Sequence, residues 1–195
     1  MADTQFSTVV PSRDCGDSDP WKHLISTDEA SKHAATLDAL PRPRFGAALE
    51  VGCSIGVLTD AVALRCDRVL AIDVDEALLI QARLRNAQHA HVRFEQASFP
   101  SGLPGDDAAQ GFDLIVLSDV LRALDQETLQ EAARLTLSLA KPGASVLLVH
   151  SLGPAPTCSL TGDQASERFI TALGRDAMLL SQQRRPAYRI DILLR

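Results

Sequence analysis

The chain has 195 residues, of which 46% are hydrophobic and 23% are charged, a composition typical of one globular domain with a sizeable core. The formal net charge of -6, without any block of lysine and arginine, argues against nucleic acid as a partner. Because no apolar run approaches the roughly 20 residues that cross a bilayer, and no signal-peptide core is evident, we expect a cytoplasmic protein with no membrane partner.

The four cysteines show no spacing that suits a metal site or a disulfide framework. Cys15, Cys53, Cys66 and Cys158 are scattered and never form a C-x-x-C pair. Zinc sites and small disulfide-stabilised domains depend on paired or regularly spaced cysteines. We therefore expect no metal in this protein.

The first 43 residues predict a leader followed by a short helical segment. Residues 1–18 are polar and lack apolar periodicity, which predicts a disordered leader. Within residues 19–43, Ser26 and Glu29 have the spacing of a capping box that opens a helix. The buried face of this helix is expected to comprise the residues that recur at helical spacing, which are Ala30, Ala34, Leu37 and Leu40.

From residue 47 onward, apolar runs alternate with helical patterns. Five of these runs are predicted strands, at residues 47–51, 68–72, 91–95, 112–117 and 144–150. Asp75 and Asp125 are placed to cap two of the intervening helices, and residues 141–143 (KPG) form a helix stop signal. This alternation predicts a parallel sheet with helices on both faces. The short link between the last two predicted strands, 177–183 and 188–194, predicts an antiparallel hairpin.

The most informative stretch is the predicted turn between the first strand and the next helix. Gly52 and Gly56 let a ligand approach the backbone closely, but their G-x-x-x-G spacing lacks the middle glycine of a dinucleotide fingerprint. Glu50 ends the strand, where a carboxylate repels a pyrophosphate and suits a cation. S-adenosylmethionine carries a sulfonium and an ammonium and no phosphate. The turn therefore favours this cofactor over the alternative, a nicotinamide cofactor of a dehydrogenase.

Asp73 ends the second predicted strand, next to that turn. A carboxylate has two acceptor oxygens and suits the two hydroxyls of a ribose. The alternative is that Asp73 caps the following helix, but Asp75 is better placed for that role. A glycine-containing turn beside an acid at the next strand tip is typical of an adenosine-binding α/β sheet.

Four stretches of the chain resemble the successive motifs of class I S-adenosylmethionine-dependent methyltransferases. They are residues 49–56 (LEVGCSIG), 71–73 (AID), 112–118 (FDLIVLS) and 141–143 (KPG). Residues 19–21 (DPW), with the Gly-Cys-x-x-Gly turn, are similar to the branch of nodulation protein S (NodS), whose named member N-methylates deacetylated chito-oligosaccharides. The resemblance covers about residues 19–195.

The resemblance implies an α/β, Rossmann-like fold with a seven-stranded sheet in the order 3-2-1-4-5-7-6, with strand 7 antiparallel and helices on both faces. It makes residues 19–43 a helical lid and residues 44–195 the methyltransferase domain. The residues that it places around S-adenosylmethionine are Trp21, Glu50, Gly52, Cys53, Ser54, Gly56, Asp73, Val74, Ser98, Phe99 and Ser118. The implied function is methyl transfer to an N or O nucleophile of a small molecule, with an amino sugar as one candidate, by a monomer or homodimer.

Two residues at the carboxyl ends of strands are candidates for a base that takes the acceptor's proton. Open α/β sheets bind ligands at that edge, where Asp119 follows the fourth strand and His150 ends the fifth. The alternatives are a helix cap or solvated turn for Asp119, and a neutral histidine bonded to backbone for His150. Lys32 is expected in solvent on its helix, with the cofactor's carboxylate as an alternative partner.

The chain departs from the resembled family at two places. Ser98 stands where the family usually has an aspartate that accepts from the adenine amino group. After the fourth strand, Arg122 and Ala123 replace a pair of tyrosines and thereby exchange an aromatic wall of the acceptor pocket for a cation. An alternative function is therefore a catalytically weak or inactive protein of the same fold that binds the cofactor or a partner.

Overall fold

A seven-stranded mixed sheet organises the protein in a computed structural model that describes residues 27–103, 109–153 and 158–195. The strands are β1 (Phe45–Val51), β2 (Cys66–Asp73), β3 (Val92–Gln96), β4 (Phe112–Ser118), β5 (Ala140–Ser151), β6 (Met178–Arg184) and β7 (Tyr188–Leu194). The helices are α1 (Thr27–Asp38), α2 (Val57–Ala63), α3 (Glu76–Arg85), α4 (Gln126–Leu139) and α5 (Gly162–Leu173), with 3-10 turns at Leu121–Ala123 and Gly174–Asp176. The strand order is β3-β2-β1-β4-β5-β7-β6, and β7 is antiparallel to both neighbours, so the expected topology is confirmed.

The helix boundaries follow the predicted capping residues. The Asp75 carboxylate accepts hydrogen bonds from the first turn of α3, and Asp125 accepts one from Thr128 N in α4. The stop signal at residues 141–143 ends α4 but lies inside β5, which begins at Ala140 because that residue already pairs with Phe112.

The sheet is buried on both faces, and strand parity decides which face a side chain joins. On β4, Ile115 and Leu117 pack toward α4 and α5, whereas Leu114 and Val116 pack toward the layer of α1, α2 and α3. The same alternation on β5 puts Leu148 on the first face and Val149 on the second. The side chains at the strand ends therefore divide between two layers.

Helix α1 turns a different face to the protein from the one that its apolar spacing predicts. Ala30 and Ala34 are exposed, whereas Lys32 and Thr36 are buried. Exposing a small alanine costs little, so those two positions did not determine the docking face. Leu40 is buried at the end of the segment as expected, and Ser26 of the predicted capping box lies outside the described residues.

Helices α2 and α3 approach each other through Gly56. This residue has a φ of 75°, and a Cβ there would lie 2.6 Å from Asn86 Nδ2 and 3.0 Å from Ala82 Cβ. Asn86 Nδ2 donates to the Gly56 carbonyl at 3.0 Å, so the amide is held in place. Only glycine satisfies both the left-handed backbone and the close contact.

Gly56→Ala is expected to destabilise the fold more than Gly143→Ala. Gly143 has a φ of 77° but open space around its absent Cβ, so its substitution costs only the left-handed backbone penalty of about 1–2 kcal/mol. At Gly56, overpacking against α3 adds roughly 1–3 kcal/mol. Urea denaturation of the two variants measures the difference, and equal losses would show that the α2–α3 contact relaxes freely.

Candidate cofactor and acceptor site

The turn after β1 and the tip of β2 are joined directly by hydrogen bonds. Gly52 N and Cys53 N both donate to the Ile72 carbonyl, at 2.9 and 3.1 Å. Ser54 N donates to Asp73 Oδ2 at 2.9 Å. The two strand tips therefore face each other, which is the arrangement that a nucleoside bound between them requires.

Gly52 lets the end of β4 pack against this turn. Its φ is 81°, and a Cβ would lie 2.4 Å from Val120 Cγ1 and 2.7 Å from the Ser118 carbonyl oxygen. Ser54, with a φ of 49°, continues the left-handed path of the backbone. The turn, the tip of β2 and the end of β4 thus meet at one edge of the sheet.

The Asp73 carboxylate is oriented by backbone but does not cap the next helix. Its second oxygen accepts from Asp75 N at 3.1 Å, whereas Asp75 itself accepts from Ala77 N and Leu78 N. A carboxylate has two acceptor oxygens, which suits the two hydroxyls of a ribose. Ala97 N donates to the Asp73 carbonyl at 3.0 Å, which brings residues 97–99, the expected adenine segment, beside the same tip.

Glu50 is a buried carboxylate that lacks a hydrogen-bond partner on either oxygen in the part of the chain that the structure describes. Burial, reinforced by the charge of Asp73, raises the pKa of Glu50 to about 7; the Thr59 hydroxyl offsets part of this shift but lies outside hydrogen-bond geometry. A buried carboxyl without a partner, under a glycine turn, fits a cationic ligand such as S-adenosylmethionine, whose charge would favour the ionised form. The residues present therefore suit that cofactor.

The remaining predicted cofactor residues differ in what they offer. Val74 is exposed next to Asp73, and Ser118 ends β4 against Gly52. The Cys53 side chain is buried in the α2 and α3 layer, which raises the pKa of its thiol well above the usual value, so this residue offers backbone only. Trp21 lies outside the described residues.

Asp119 lies one residue beyond β4 with a φ of 55°, and its carboxylate is tied to β5 and α1. Oδ1 accepts from Ser151 N at 2.7 Å, and Oδ2 accepts from Ser151 Oγ at 3.0 Å and from Lys32 Nζ at 2.8 Å. Burial favours a higher pKa for Asp119, but the charge of Lys32, together with the hydrogen bonds from Lys32 and Ser151 N, outweighs it and holds the pKa below its usual range. The carboxylate is an ion-paired anion, and the alternative of a helix cap is not what the structure shows.

The expectation of a solvated Lys32 is wrong. Its side chain is only 3% exposed, and its ammonium contacts Asp119 Oδ2, Ser151 Oγ at 3.1 Å and Glu29 Oε1 at 2.9 Å. Burial favours a lower pKa for Lys32, but the two carboxylates outweigh it and raise the pKa above the ordinary value. The amphipathic spacing of α1 could not predict this burial, because a buried lysine is stable only when it is paired and its partners are distant in the sequence.

His150 is fully buried on the α5 face of the sheet. Its Nδ1 lies 3.3 Å from Ser166 Oγ, and its Nε2 has no hydrogen-bond partner among the described residues. Burial lowers the pKa of His150 to about 4, so the ring is neutral near pH 7. The neighbouring Ser151, and not His150, contacts Lys32 and Asp119. The two candidate bases, Asp119 and His150, therefore do not form a hydrogen-bonded pair. A catalytic role for either residue stays a prediction.

Arg122, which the sequence predicts as a cation in the acceptor wall, is buried and bonded to backbone carbonyls. It donates to the Gly153 carbonyl at 2.8 Å and to the Leu160 carbonyl at 3.5 Å, while its Nη1 lies 3.8 Å from Asp119 Oδ1. Two cations, Lys32 and Arg122, thus flank one carboxylate. Among the described residues, no group of three or more His, Cys, Asp or Glu side chains could hold a metal ion.

Comparison with known proteins places the chain in a family. Residues 49–146, half of the chain, match the family model of a methyltransferase domain. The chain belongs to the class I S-adenosylmethionine-dependent methyltransferases. The enzyme's cofactor is accordingly S-adenosylmethionine.

Relatives of this methyltransferase agree with the NodS-like resemblance. It is 27% identical to nodulation protein S of Bradyrhizobium diazoefficiens over 85% of this chain and 78% of that protein. A crystal structure of a Pseudomonas syringae protein described as a methyltransferase is 29% identical, with a TM-score of 0.74, and the match covers 86% of this chain and 99% of the other. The structure of N-methyltransferase NodS from Bradyrhizobium japonicum WM9 with S-adenosyl-L-homocysteine has a TM-score of 0.76 at 21% identity, and the match covers 92% of this chain and 93% of the other. At this identity the likeness concerns the fold. No helix in the described ranges is long and apolar enough to span a membrane.

Two buried groups of the methyltransferase are expected to give its stability opposite dependences on pH. Folding raises the pKa of Glu50 from 4.5 to about 7, so the folded state binds the extra proton and stability falls as pH rises through that window. Folding lowers the pKa of His150 from 6.5 to about 4, so stability falls as pH decreases through that window. Each contribution is on the order of 3 kcal/mol, and they oppose each other between pH 4.5 and 6.5.

Glu50→Gln removes the contribution of Glu50 to the pH dependence of stability and is expected to reveal the contribution of His150. The free energy of unfolding of this variant should rise from pH 4.5 to 6.5, whereas His150→Gln should give a free energy that falls over the same range. Urea denaturation in a series of buffers measures both slopes. Parallel curves for wild type and both variants would contradict the assignment.

Proposed function

We propose that the enzyme transfers the methyl group of S-adenosylmethionine to an amine nitrogen of a small molecule, with amino sugars as the acceptor class to test first and an oxygen nucleophile as the less favoured variant. The observation that carries this proposal is the Asp119 carboxylate, which already holds an ammonium ion at 2.8 Å at the cofactor edge of the sheet. A site that accommodates an ammonium group suits an amine acceptor better than a neutral hydroxyl. The names of the NodS relatives support the same class of reaction.

When bound, the cofactor would supply a methyl group on a sulfonium: the lone pair of the neutral amine would form the N–C bond as the C–S bond breaks with its electron pair staying on sulfur, and the proton of the resulting ammonium would leave to solvent. The chain's own task is mainly positioning. Asp73 and the turn at Gly52 would orient the donor, and Glu50 would place negative charge near its cationic groups. Asp119, with its lowered pKa, is a weak base, so its role here is to orient the amine and to stabilise the positive charge that develops on nitrogen.

The alternative is a methyltransferase fold that binds without turnover. It is favoured by Ser98, which accepts from an adenine amino group more weakly than the aspartate usual at this position. It is disfavoured by Arg122, which is buried and bonded to two carbonyls rather than filling the acceptor wall. Consumption of the donor decides between the two functions.

Asp73→Ala is expected to abolish binding of S-adenosyl-L-homocysteine in isothermal titration calorimetry, because the ribose would lose its carboxylate acceptor. Asp75→Ala is the matched control: it removes an acid two residues along the same strand tip, costs about 1 kcal/mol as a lost helix cap, and leaves binding unchanged. Folded wild-type protein that gives no heat would contradict cofactor binding, and equal losses in both variants would contradict the role of Asp73.

Turnover is expected with amino sugars and not with catechols, as measured by homocysteine release in a coupled assay. Asp119→Asn should lower kcat/KM for an amino sugar roughly 100-fold or more, since it removes the charge that faces the acceptor, while the affinity for S-adenosyl-L-homocysteine stays that of wild type. Release with catechols alone would identify an O-methyltransferase. Tight cofactor binding without release from any acceptor would support the alternative function.

A further inference from the structure

The ammonium group of Lys32 lies in a cradle of three oxygen atoms, which we call the oxygen cradle. Its members are Asp119 Oδ2 at 2.8 Å, Glu29 Oε1 at 2.9 Å and Ser151 Oγ at 3.1 Å. An ammonium has three N–H donors and no acceptor, so the cradle satisfies the group completely. The structure therefore shows how a primary ammonium fits at this place.

Most of the oxygen cradle is built by the sheet and not by Lys32. Ser151 N and Ser151 Oγ both donate to the Asp119 carboxylate, at 2.7 and 3.0 Å. Asp119 N donates in turn to the Val149 carbonyl at 2.9 Å, which anchors its left-handed backbone to β5. Because these bonds do not involve α1, two of the three oxygens stay in place when Lys32 leaves.

The oxygen cradle adjoins the cofactor turn. Asp119 follows Ser118, whose carbonyl oxygen would be 2.7 Å from a Cβ on Gly52. The Asp119 side chain keeps 33% of its surface exposed even with Lys32 bound, so solvent still reaches it. A second ammonium can approach the carboxylate from that open side.

We propose that the oxygen cradle recognises the ammonium group of the acceptor, and that Lys32 is an internal competitor that occupies the cradle until a cationic acceptor displaces it. The bound ammonium then releases one proton to solvent at the exposed side of the Asp119 carboxylate, which frees the nitrogen lone pair for methyl transfer. This inference rests on the proposed transfer to an amine. The exchange replaces one ammonium with another at Asp119, and Lys32 keeps the carboxylate of Glu29 from its own helix as a partner, so neither charge is left unpaired. A neutral acceptor of the same shape lacks this compensation and is rejected, which makes Lys32 a specificity-determining residue.

A direct test follows the Lys32 ammonium by ¹⁵N NMR in the full chain saturated with S-adenosyl-L-homocysteine. The chain has three lysines, Lys22, Lys32 and Lys141, so the ammonium spectrum is simple, and the exposed Lys141 is the internal control. Glucosamine is expected to shift the Lys32 signal and to speed its exchange with water, whereas N-acetylglucosamine, the same sugar without an ammonium, is expected to do neither. A Lys32 signal that ignores glucosamine, or that responds equally to both sugars, overturns the proposal.

Lys32→Met tests the competition by affinity. Methionine keeps an apolar stem of similar length and empties the cradle, so the Kd for glucosamine should fall roughly tenfold or more, because the competent state no longer has to be vacated. Lys32→Arg keeps the cation and should leave binding weak, and Asp119→Asn should remove it. If Lys32→Met does not fold, the NMR experiment decides alone.

The results of these experiments distinguish failure of the Lys32 proposal from failure of the proposed function. No binding of S-adenosyl-L-homocysteine, or no donor consumption with any amine, would refute the proposed function. Normal cofactor binding and amine turnover, together with an unchanged Kd for glucosamine in Lys32→Met, would refute only the role of Lys32.

Discussion

The site depends on one set of short backbone hydrogen bonds between the turn after β1 and the tip of β2. Gly52 N and Cys53 N share the Ile72 carbonyl, and Ser54 N reaches the Asp73 carboxylate. These bonds fix the glycine turn and the acid in one orientation before any ligand arrives, so the loss of freedom on binding falls mainly on the ligand. Because both tips are the ends of strands buried on two faces, the rigidity of the sheet core is passed directly to the site.

Two carboxylates at this edge are driven in opposite directions by their surroundings. Glu50 is buried and lacks a hydrogen-bond partner among the described residues, which raises its pKa to about 7, whereas Asp119 is paired with Lys32 and has a lowered pKa. Such divergence between neighbouring acids is a common sign of divided roles. The orphaned acid lies on the donor side under the glycine turn, and the paired acid lies where an acceptor would enter. Neither acid is therefore both fully charged and unpaired in the protein without ligands.

The sequence predicted the local geometry of the β1 turn and the β2 tip far better than the contacts of Lys32 and Arg122, and the reason is the range of the interactions. Strand alternation, the turn at Gly52 and the cap at Asp75 are local features that act within a few residues. Lys32, by contrast, contacts Asp119, which is 87 residues away in the sequence, and Ser151, which is 119 residues away. A helical pattern taken alone predicts that a lysine is exposed to solvent. The predicted docking face of α1 was wrong for the same reason, since the burial of alanine and lysine positions can be predicted only once their partners in the fold are known. Arg122 is a third case, because its carbonyl partners lie in a segment that no local pattern predicts.

This difference has a consequence for how acceptor choice can change. The cofactor residues belong to core strands, where a substitution disturbs packing in two layers at once. The cations around Asp119 come instead from α1 and from the 3-10 turn after β4, with Lys32 Nζ at 2.8 Å and Arg122 Nη1 at 3.8 Å from its carboxylate. Exchanging either cation alters the charge that an acceptor meets, yet leaves the Ser54 to Asp73 bond and the β1 turn untouched. Under the proposed function, acceptor recognition is therefore separable from cofactor binding, because it depends on the balance of charge at Asp119 and not on the β1 turn.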